Sequence, residues 1–435
     1  MPEGRWLIED DGEGIVERIV VTGKLILETA AHFGNGEVSV LTDMPLLRDP
    51  LDGQALLSGA SIAGAIRHYL REYENGYRKN GQGERVEDHQ SRAAHLFGHF
   101  QEETVASRRS QRAFGSLLMI DDALGEHPVT ELRDGVTIDP KTRTAEEKKL
   151  YNIELLPPGS TFPLSFELLI PAGRDGGRFE TEQNRDRLIE ALVIALYGLQ
   201  TGQIGLGKRK RRGLGQVKVS DWTVKRYHLN QAGDLLAWLD GTSPVETHSG
   251  PNITTLLPTP HLKDQRQNFK IEAEFSLDGS SLLIRSAFGR AGDPDMVHLE
   301  SGGKPILAGT SLAGALRARA LRIVKTLKLS QPEQFINKMF GERLANAETG
   351  GTRQKRLTAS RVLVSETPIT AGTSMVQSRV KLDRFTGGAY PGALFSQQPV
   401  FGTAETKVKV EITLLQPQEA EIGLLFATAQ RFCGR

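Results

Sequence analysis

Gly59-Ala-Ser-Ile-Ala-Gly-Ala-Ile-Arg67 returns 250 positions later as Gly309-Thr-Ser-Leu-Ala-Gly-Ala-Leu-Arg317, with six of the nine residues identical. Two matching stretches in one chain reveal a repeat architecture without reference to any other protein. Working outward at the same offset, Gly53-Gln-Ala-Leu-Leu-Ser58 falls on Gly303-Lys-Pro-Ile-Leu-Ala308, and Asp43 falls on Asp293. Downstream, Leu96-Phe-Gly98 answers Met339-Phe-Gly341. Val136 to Ala145 answers Val380 to Ala389 at an offset of 244, so short insertions and deletions separate the copies.

Each copy reads alike in secondary structure. Val20 to Leu27 and Phe269 to Phe275 carry the apolar, β-branched pattern of strands, and a glycine-rich turn follows each, His32 to Gly36 and Ala287 to Gly292. The repeated motif opens a helix, Ser61 to Tyr73 and Ser311 to Lys328, with the serine at the cap position. Further strands are expected at Gly115 to Ile120, Thr161 to Ile170, Arg361 to Val364 and Lys407 to Leu415. Second helices are expected over Arg185 to Gln200 and from Glu421. Strand, helix, strand, strand, helix is the ferredoxin-like split βαβ scheme. The expected fold class is α+β, two tandem ferredoxin-like domains with insertions. Residues 1–18 form an N-terminal segment, 19–222 the first domain, 223–266 a linker without periodicity, and 267–435 a second domain that stops inside its closing helix.

Size agrees with two domains, because 435 residues exceed the ~250–300 at which a single hydrophobic core stops growing. Glycine, at 46 residues, is well above the roughly 30 expected at this length, so loops and close backbone approaches matter. A net charge of +1 gives no global field to steer a polyanion, which leaves local basic clusters to do so. The single cysteine, Cys433, excludes an intramolecular disulfide and a cysteine-built zinc site. The acidic start lacks a signal-peptide core and no run of eighteen apolar residues occurs, so the expectation is a soluble cytoplasmic protein.

Copy one ends in Thr201-Gly-Gln-Ile-Gly-Leu-Gly-Lys-Arg-Lys-Arg-Arg-Gly-Leu-Gly215. Gly205 and Gly207 let main-chain N–H groups approach an anion. Lys208, Arg209, Lys210, Arg211 and Arg212 add charge with no acidic residue in the loop to neutralise it, a combination suited to a phosphate backbone. Gly202 to Lys208 also matches the start of a nucleotide-binding P-loop. Arg209 stands where that motif needs Ser or Thr, and a helix precedes the loop where a strand is required, so the match fails. His95 and His99 have helical ligand spacing but lack the glutamate of a metalloprotease motif. Glu72 to Arg92, highly charged, reads as an insertion.

The block Asp43-Met-Pro-Leu-Leu-Arg-Asp-Pro-Leu-Asp-Gly53 followed by Gly59 to Arg67, with the glycine-rich loop closing the domain, resembles the RAMP superfamily of CRISPR-associated proteins. It is most similar to the backbone subunit of type III effector complexes, and the duplication is similar to the fused subunits of type III-D and III-E variants. The resemblance implies RRM-like RAMP domains with projecting β-hairpins, here Val136 to Ala145 and Val380 to Ala389, that wedge into a guide–target duplex. It implies a CRISPR guide RNA, a single-stranded target RNA and other effector subunits as partners, and endoribonuclease activity on the paired target. A structural filament subunit without cleavage at one or both copies is the alternative.

Chemistry can then be attached to residues. The helix N-terminus offers unpaired N–H groups to a phosphate, and Arg67 and Arg317, two turns in, are candidates to reach a backbone oxygen. The resemblance implies guide-backbone contacts at Ser61, Arg67, Ser311 and Arg317. It also implies a target-facing aspartate ahead of the helix, matched by Asp43. In copy two the spacing favours Asp293, with Asp295 as the alternative because Pro294 constrains Asp293. A lone carboxylate is a weak base, so Mg2+ or another divalent ion, held by Asp43 and Asp293, is the implied cofactor. Asp49 and Asp52 are explained by turn chemistry.

Overall fold

The computed structural model describes residues 14–36, 42–77, 91–105, 108–138, 142, 144–172, 182–258, 261–277, 279–286, 294–342 and 358–430. Two large hydrophobic clusters organise them, one within the first 257 residues and one from Leu312 onward.

The first unit is built on β1 (Ile15–Leu27), whose odd-numbered residues Ile19, Val21, Leu25 and Leu27 are buried as the twofold strand period requires. Next come α1 (Gly59–Asn75), α2 (Arg92–Phe97), β2 (Leu118–Ile120), the hairpin β3 (Glu131–Ile138) and β4 (Ala145–Leu155), β5 (Thr161–Pro171), α3 (Glu182–Gln200), β6 (Val217–His228) and β7 (Glu246–Gly250). The sheet runs β7-β6-β1-β5-β2, antiparallel throughout. Helix α1 buries Ile62, Ile66, Tyr69 and Leu70, a stripe of period 3.6, against this core. Each such side chain contributes about 1.5–3 kcal/mol on burial, so Ile66→Ala removes both transfer energy and packing. The helix begins two residues earlier than the serine pattern indicates. Ser58 is the cap, accepting from the Ser61 amide at 3.3 Å. Ser61 therefore lies in the first turn, exposed.

The second unit repeats the plan with β8 (Asn268–Ser276), β9 (Lys304–Leu307), α4 (Gly309–Thr326), α5 (Pro332–Phe340), β10 (Val362–Val364), β11 (Thr367–Thr370), the hairpin β12 (Gln377–Leu382) and β13 (Ala389–Gln398), β14 (Lys407–Leu415) and α6 (Glu419–Gln430). Strand β14 pairs with β8 on one side and with β10 and β11 on the other. Among the described residues no strand lies on the far edge of β8, where β6 lies beside β1 in the first unit. The hairpins share one register: Val136 faces Leu150 and Ile138 faces Ala145, as Val380 faces Leu394 and Leu382 faces Ala389, with a bulge at the same place. Residues 139–141 and 143 of the first hairpin tip, and most of the Glu72 to Arg92 insertion, lie outside the described residues.

The stretch 223–266, expected as a linker, is largely folded onto the first unit. Strand β6 continues to His228, a helix follows over Ala232–Leu239, and β7 pairs with β6. The Pro- and Thr-rich composition masked a strand only five residues long.

The units meet through the copy-one hairpin and basic loop. Arg133, on β3, makes a bidentate pair with Glu366 at 2.7 and 3.1 Å and also reaches Glu131 at 3.1 Å. Glu131 accepts from the Ser301 hydroxyl and the Gly302 amide. Burial pushes the Glu366 carboxyl above its ordinary value, with Arg133 opposing, while Glu366 and Glu131 together raise the Arg133 guanidinium against its own burial. At Gly309 an added Cβ would stand 2.3 Å from the Arg212 carbonyl and 2.7 Å from that of Val364. Glycine at the head of α4 is therefore required by the loop and strand packed on it.

Candidate functional site

In copy one the loop carrying Asp43 lies along β4. The Asp43 amide donates to Asn152 Oδ1 at 2.7 Å, and the Asn152 amide donates back to Asp43 Oδ2 at 2.8 Å. Met44 bridges Ile153 in parallel, and the Glu154 carboxylate accepts from the Leu46 amide and from Arg48. Asp43 is exposed, and among the described residues its Oδ1 takes no hydrogen bond. A reciprocal pair of this kind fixes both the backbone and one carboxylate oxygen while leaving the other oxygen to solvent or a ligand.

Copy two contains the same arrangement, centred on Asp295. Its amide donates to Ser396 Oγ at 3.0 Å, and the Ser396 amide and hydroxyl donate to Asp295 Oδ2 at 2.8 and 3.0 Å. Met296 pairs in parallel with Gln397, as Met44 does with Ile153. Ser396 and Asn152 are 244 positions apart, the hairpin offset, so they are equivalent by register. The bonds from Ser396 hold the exposed Asp295 carboxyl below the usual aspartate range. Asp293 lies outside the described residues, and the position equivalent to Asp43 is occupied by Asp295. A sequence signal existed: the dipeptide Asp-Met occurs at 43–44 and again at 295–296, 252 positions apart. The motif offset of 250 concealed it.

The basic loop divides between two tasks. Lys208 extends to Met44, with Nζ 3.7 Å from the sulfur, and the Arg209 guanidinium lies over the Tyr151 ring at 4.8 Å, beside Asn152. Two cations therefore contact Met44 and Tyr151, the residues that flank Asp43 and Asn152 in sequence. Arg211 and Arg212 instead face the second unit: Arg211 donates to the Ser360 carbonyl, and Arg212 to those of Val362 and Phe340 at 3.1 and 3.2 Å. Burial lowers the Arg209 guanidinium from its ordinary value. Burial lowers that of Arg212 as well, with Arg211 and Arg209 adding to the effect. Among the described residues none of these cations forms a salt bridge with a carboxylate, an arrangement that favours an anion. Gly207, at φ 81, packs against the His32 carbonyl, where an added Cβ would stand 2.3 Å away, and an added Cβ at Gly205 would meet the Gly215 carbonyl at 3.3 Å. The loop glycines thus serve its internal packing. His32, which the sequence did not single out for this cluster, is buried against it. Its Nδ1 is 2.8 Å from the Glu154 carbonyl, and burial holds the ring below its ordinary value.

Both motif arginines act within their own units. Arg67 donates to the Gly98 carbonyl at 3.1 Å, and Arg317 to Gly341 at 2.7 Å and to Asn337 at 2.5 Å. They fasten the positive-φ glycine that ends the next helix, Gly98 at φ 77 and Gly341 at φ 85. Gly64 and Gly314 are exposed, with nothing of the chain within 4 Å of an added Cβ, so the helix face they share with Ser61 and Ser311 is open. His99 stacks on Phe114 at 4.8 Å, and its ring lies 6.5 Å from that of His95. Among the described residues no three His, Cys, Asp or Glu side chains gather as a metal cluster, and no helix is long and apolar enough to cross a membrane.

Both units are ferredoxin-like, each with a hairpin strand bonded to an exposed aspartate ahead of a glycine-led helix. The profile of the RAMP superfamily matches residues 24–218 and 279–423, and the chain belongs to that superfamily. It is similar to proteins named CRISPR system Cms endoribonuclease Csm3. The relative from Mycobacterium tuberculosis is 31% identical over 216 residues, 47% of this chain and 87% of that protein. Those from Streptococcus thermophilus and Methanocaldococcus jannaschii are 26% and 22% identical over 46% and 47% of this chain, covering 86% and 79% of their own lengths. Each relative matches about the length of one unit.

Proposed function

We propose that the chain is a guide-RNA-binding backbone subunit of a type III CRISPR effector complex that cuts the guide-paired target RNA at two positions, through Asp43 and Asp295. The observation that carries this reading is the reciprocal bond between an exposed aspartate and the hairpin, repeated in both units of a chain similar to endoribonucleases. RNA breaks when its 2'-hydroxyl attacks the adjacent phosphorus in line, and the protein's task is to orient that hydroxyl and stabilise the charge that develops. In copy one, Asp43 Oδ1 orients the reacting groups while Lys208 and Arg209 face the phosphate; in copy two, Asp295 Oδ1 takes the same role.

A single exposed carboxylate oxygen fits a hydrated Mg2+ held mostly by water and RNA phosphate rather than by a protein cage. Asp43 and Asp295 would hold it, and when bound it supplies positive charge and acidifies water. The guide phosphates meet the open faces of α1 and α4, at Ser61 and Ser311, and the cations Lys208, Arg209 and Lys210. Target fragments mapped from the assembled complex, unmodified and carrying Asp43→Ala or Asp295→Ala, test the reading. Each variant should lose one cut and keep its affinity for guide and target. No cut in the unmodified complex leaves a structural filament subunit instead.

A further inference from the structure

Asn152 and Ser396 occupy the same register position on the second strand of each hairpin, and each exchanges hydrogen bonds with an aspartate more than a hundred residues away in sequence. The chemistry of the two side chains differs. Asn152 offers an amide oxygen to the Asp43 amide, whereas the Ser396 hydroxyl accepts from the Asp295 amide and also contacts the carboxylate. What they share is an oxygen that takes the aspartate's own N–H while the strand backbone takes its carboxylate. The offset between the copies drifts from 250 at the helix motif to 244 at the hairpin, yet this clamp is kept in both.

We infer that Asn152 and Ser396 are positioning residues: they lock each aspartate to its hairpin, so that the carboxylate presented to the RNA and the hairpin that enters the duplex move as one body. This inference rests on the cleavage reading above. Without the side-chain oxygen, the aspartate amide loses its partner and the exposed loop is free to rotate the carboxylate away from the phosphate. The main-chain half of the clamp survives any substitution, so the loss is partial.

The test is made in the assembled complex with Asn152→Ala, Ser396→Ala and the exchanged pair Asn152→Ser with Ser396→Asn. Each alanine should slow its own cut about tenfold, the worth of one hydrogen bond, with the other cut and both RNA affinities unchanged. The exchanged pair should restore both rates. Amide hydrogen exchange supplies a readout independent of cutting: protection at Asp43 should fall in Asn152→Ala and return in Asn152→Ser. Full-rate cutting by both alanine variants, in a complex where Asp43→Ala and Asp295→Ala abolish the cuts, overturns the clamp and leaves the proposed function standing. Equal slowing of both cuts by either variant also overturns it, since a general loss of structure is not positioning. Cuts that ignore both aspartate substitutions overturn the function, and the positioning role with it.

Discussion

The two units solve one problem with different residues. Unit one holds Asp43 through Asn152 and sets Lys208 and Arg209 of its own glycine-rich loop against the flanking Met44 and Tyr151, whereas unit two holds Asp295 through Ser396 and, among the described residues, has no basic loop beside it. The common feature is the hairpin register and the variable one is the charge around it. The aspartate's position is therefore set by strand pairing rather than by its distance from the glycine that opens the helix motif, which is 16 residues for Asp43 and Asp293 but 14 for Asp295.

The largest effect should come from breaking that equivalence. Asp295→Ala should lower its cut by a hundredfold or more, about the range of a lost general acid–base or orienting group, while Asp293→Ala leaves both cuts intact. Fragment mapping decides, and loss of the second cut only with Asp293→Ala would restore the spacing argument.

Next is the junction, where equivalent positions behave differently. Glu366 is buried against Arg133, but its counterpart in unit one, Asp122, is exposed and accepts only the Gly59 amide at 2.7 Å. Glu366→Ala removes the bidentate partner of a buried guanidinium and leaves it only Glu131, and should cost about 3 kcal/mol. Asp122→Ala should cost about 1 kcal/mol. Denaturant unfolding of the two variants sharpens the contrast, and equal losses would contradict it.

The basic loop should divide in the same way. Replacing Lys208, Arg209 and Lys210 with Ser should reduce the slope of log affinity for guide against log salt by about 0.7 per lost contact. Replacing Arg211 and Arg212 should loosen the second unit and leave that slope nearly unchanged. An unchanged slope in the first variant would remove the loop from RNA binding. The smallest effect is at the helix starts. Ser58→Ala should cost about 1 kcal/mol and give α1 the uncapped start that α4 already has at Ala308.

Sequence periodicity and the internal repeat were sufficient for the fold, because both are local. The twofold pattern of Lys407–Leu415 and the helical stripe of Ile62, Ile66 and Tyr69 can be read from neighbours a few residues apart, and the strands appear where those patterns place them. The hairpins were implied by the family resemblance, and the 244-residue offset of their copies matches the register they share. What escaped were short elements, among them α2 and β7, of six and five residues, α5, of nine, and the helix over Ala232–Leu239, of eight.

The sequence by itself determined the duplication, the α+β order and the family resemblance, and it nominated Asp43 as a candidate. Tertiary structure alone decided that Asp295 is its counterpart, that Arg67 and Arg317 secure the following helix, and that Arg211 and Arg212 join the units. The physical reason is range. A carboxylate or a guanidinium is defined by the group it bonds, and here those groups lie 24 to 150 residues away, beyond any local pattern.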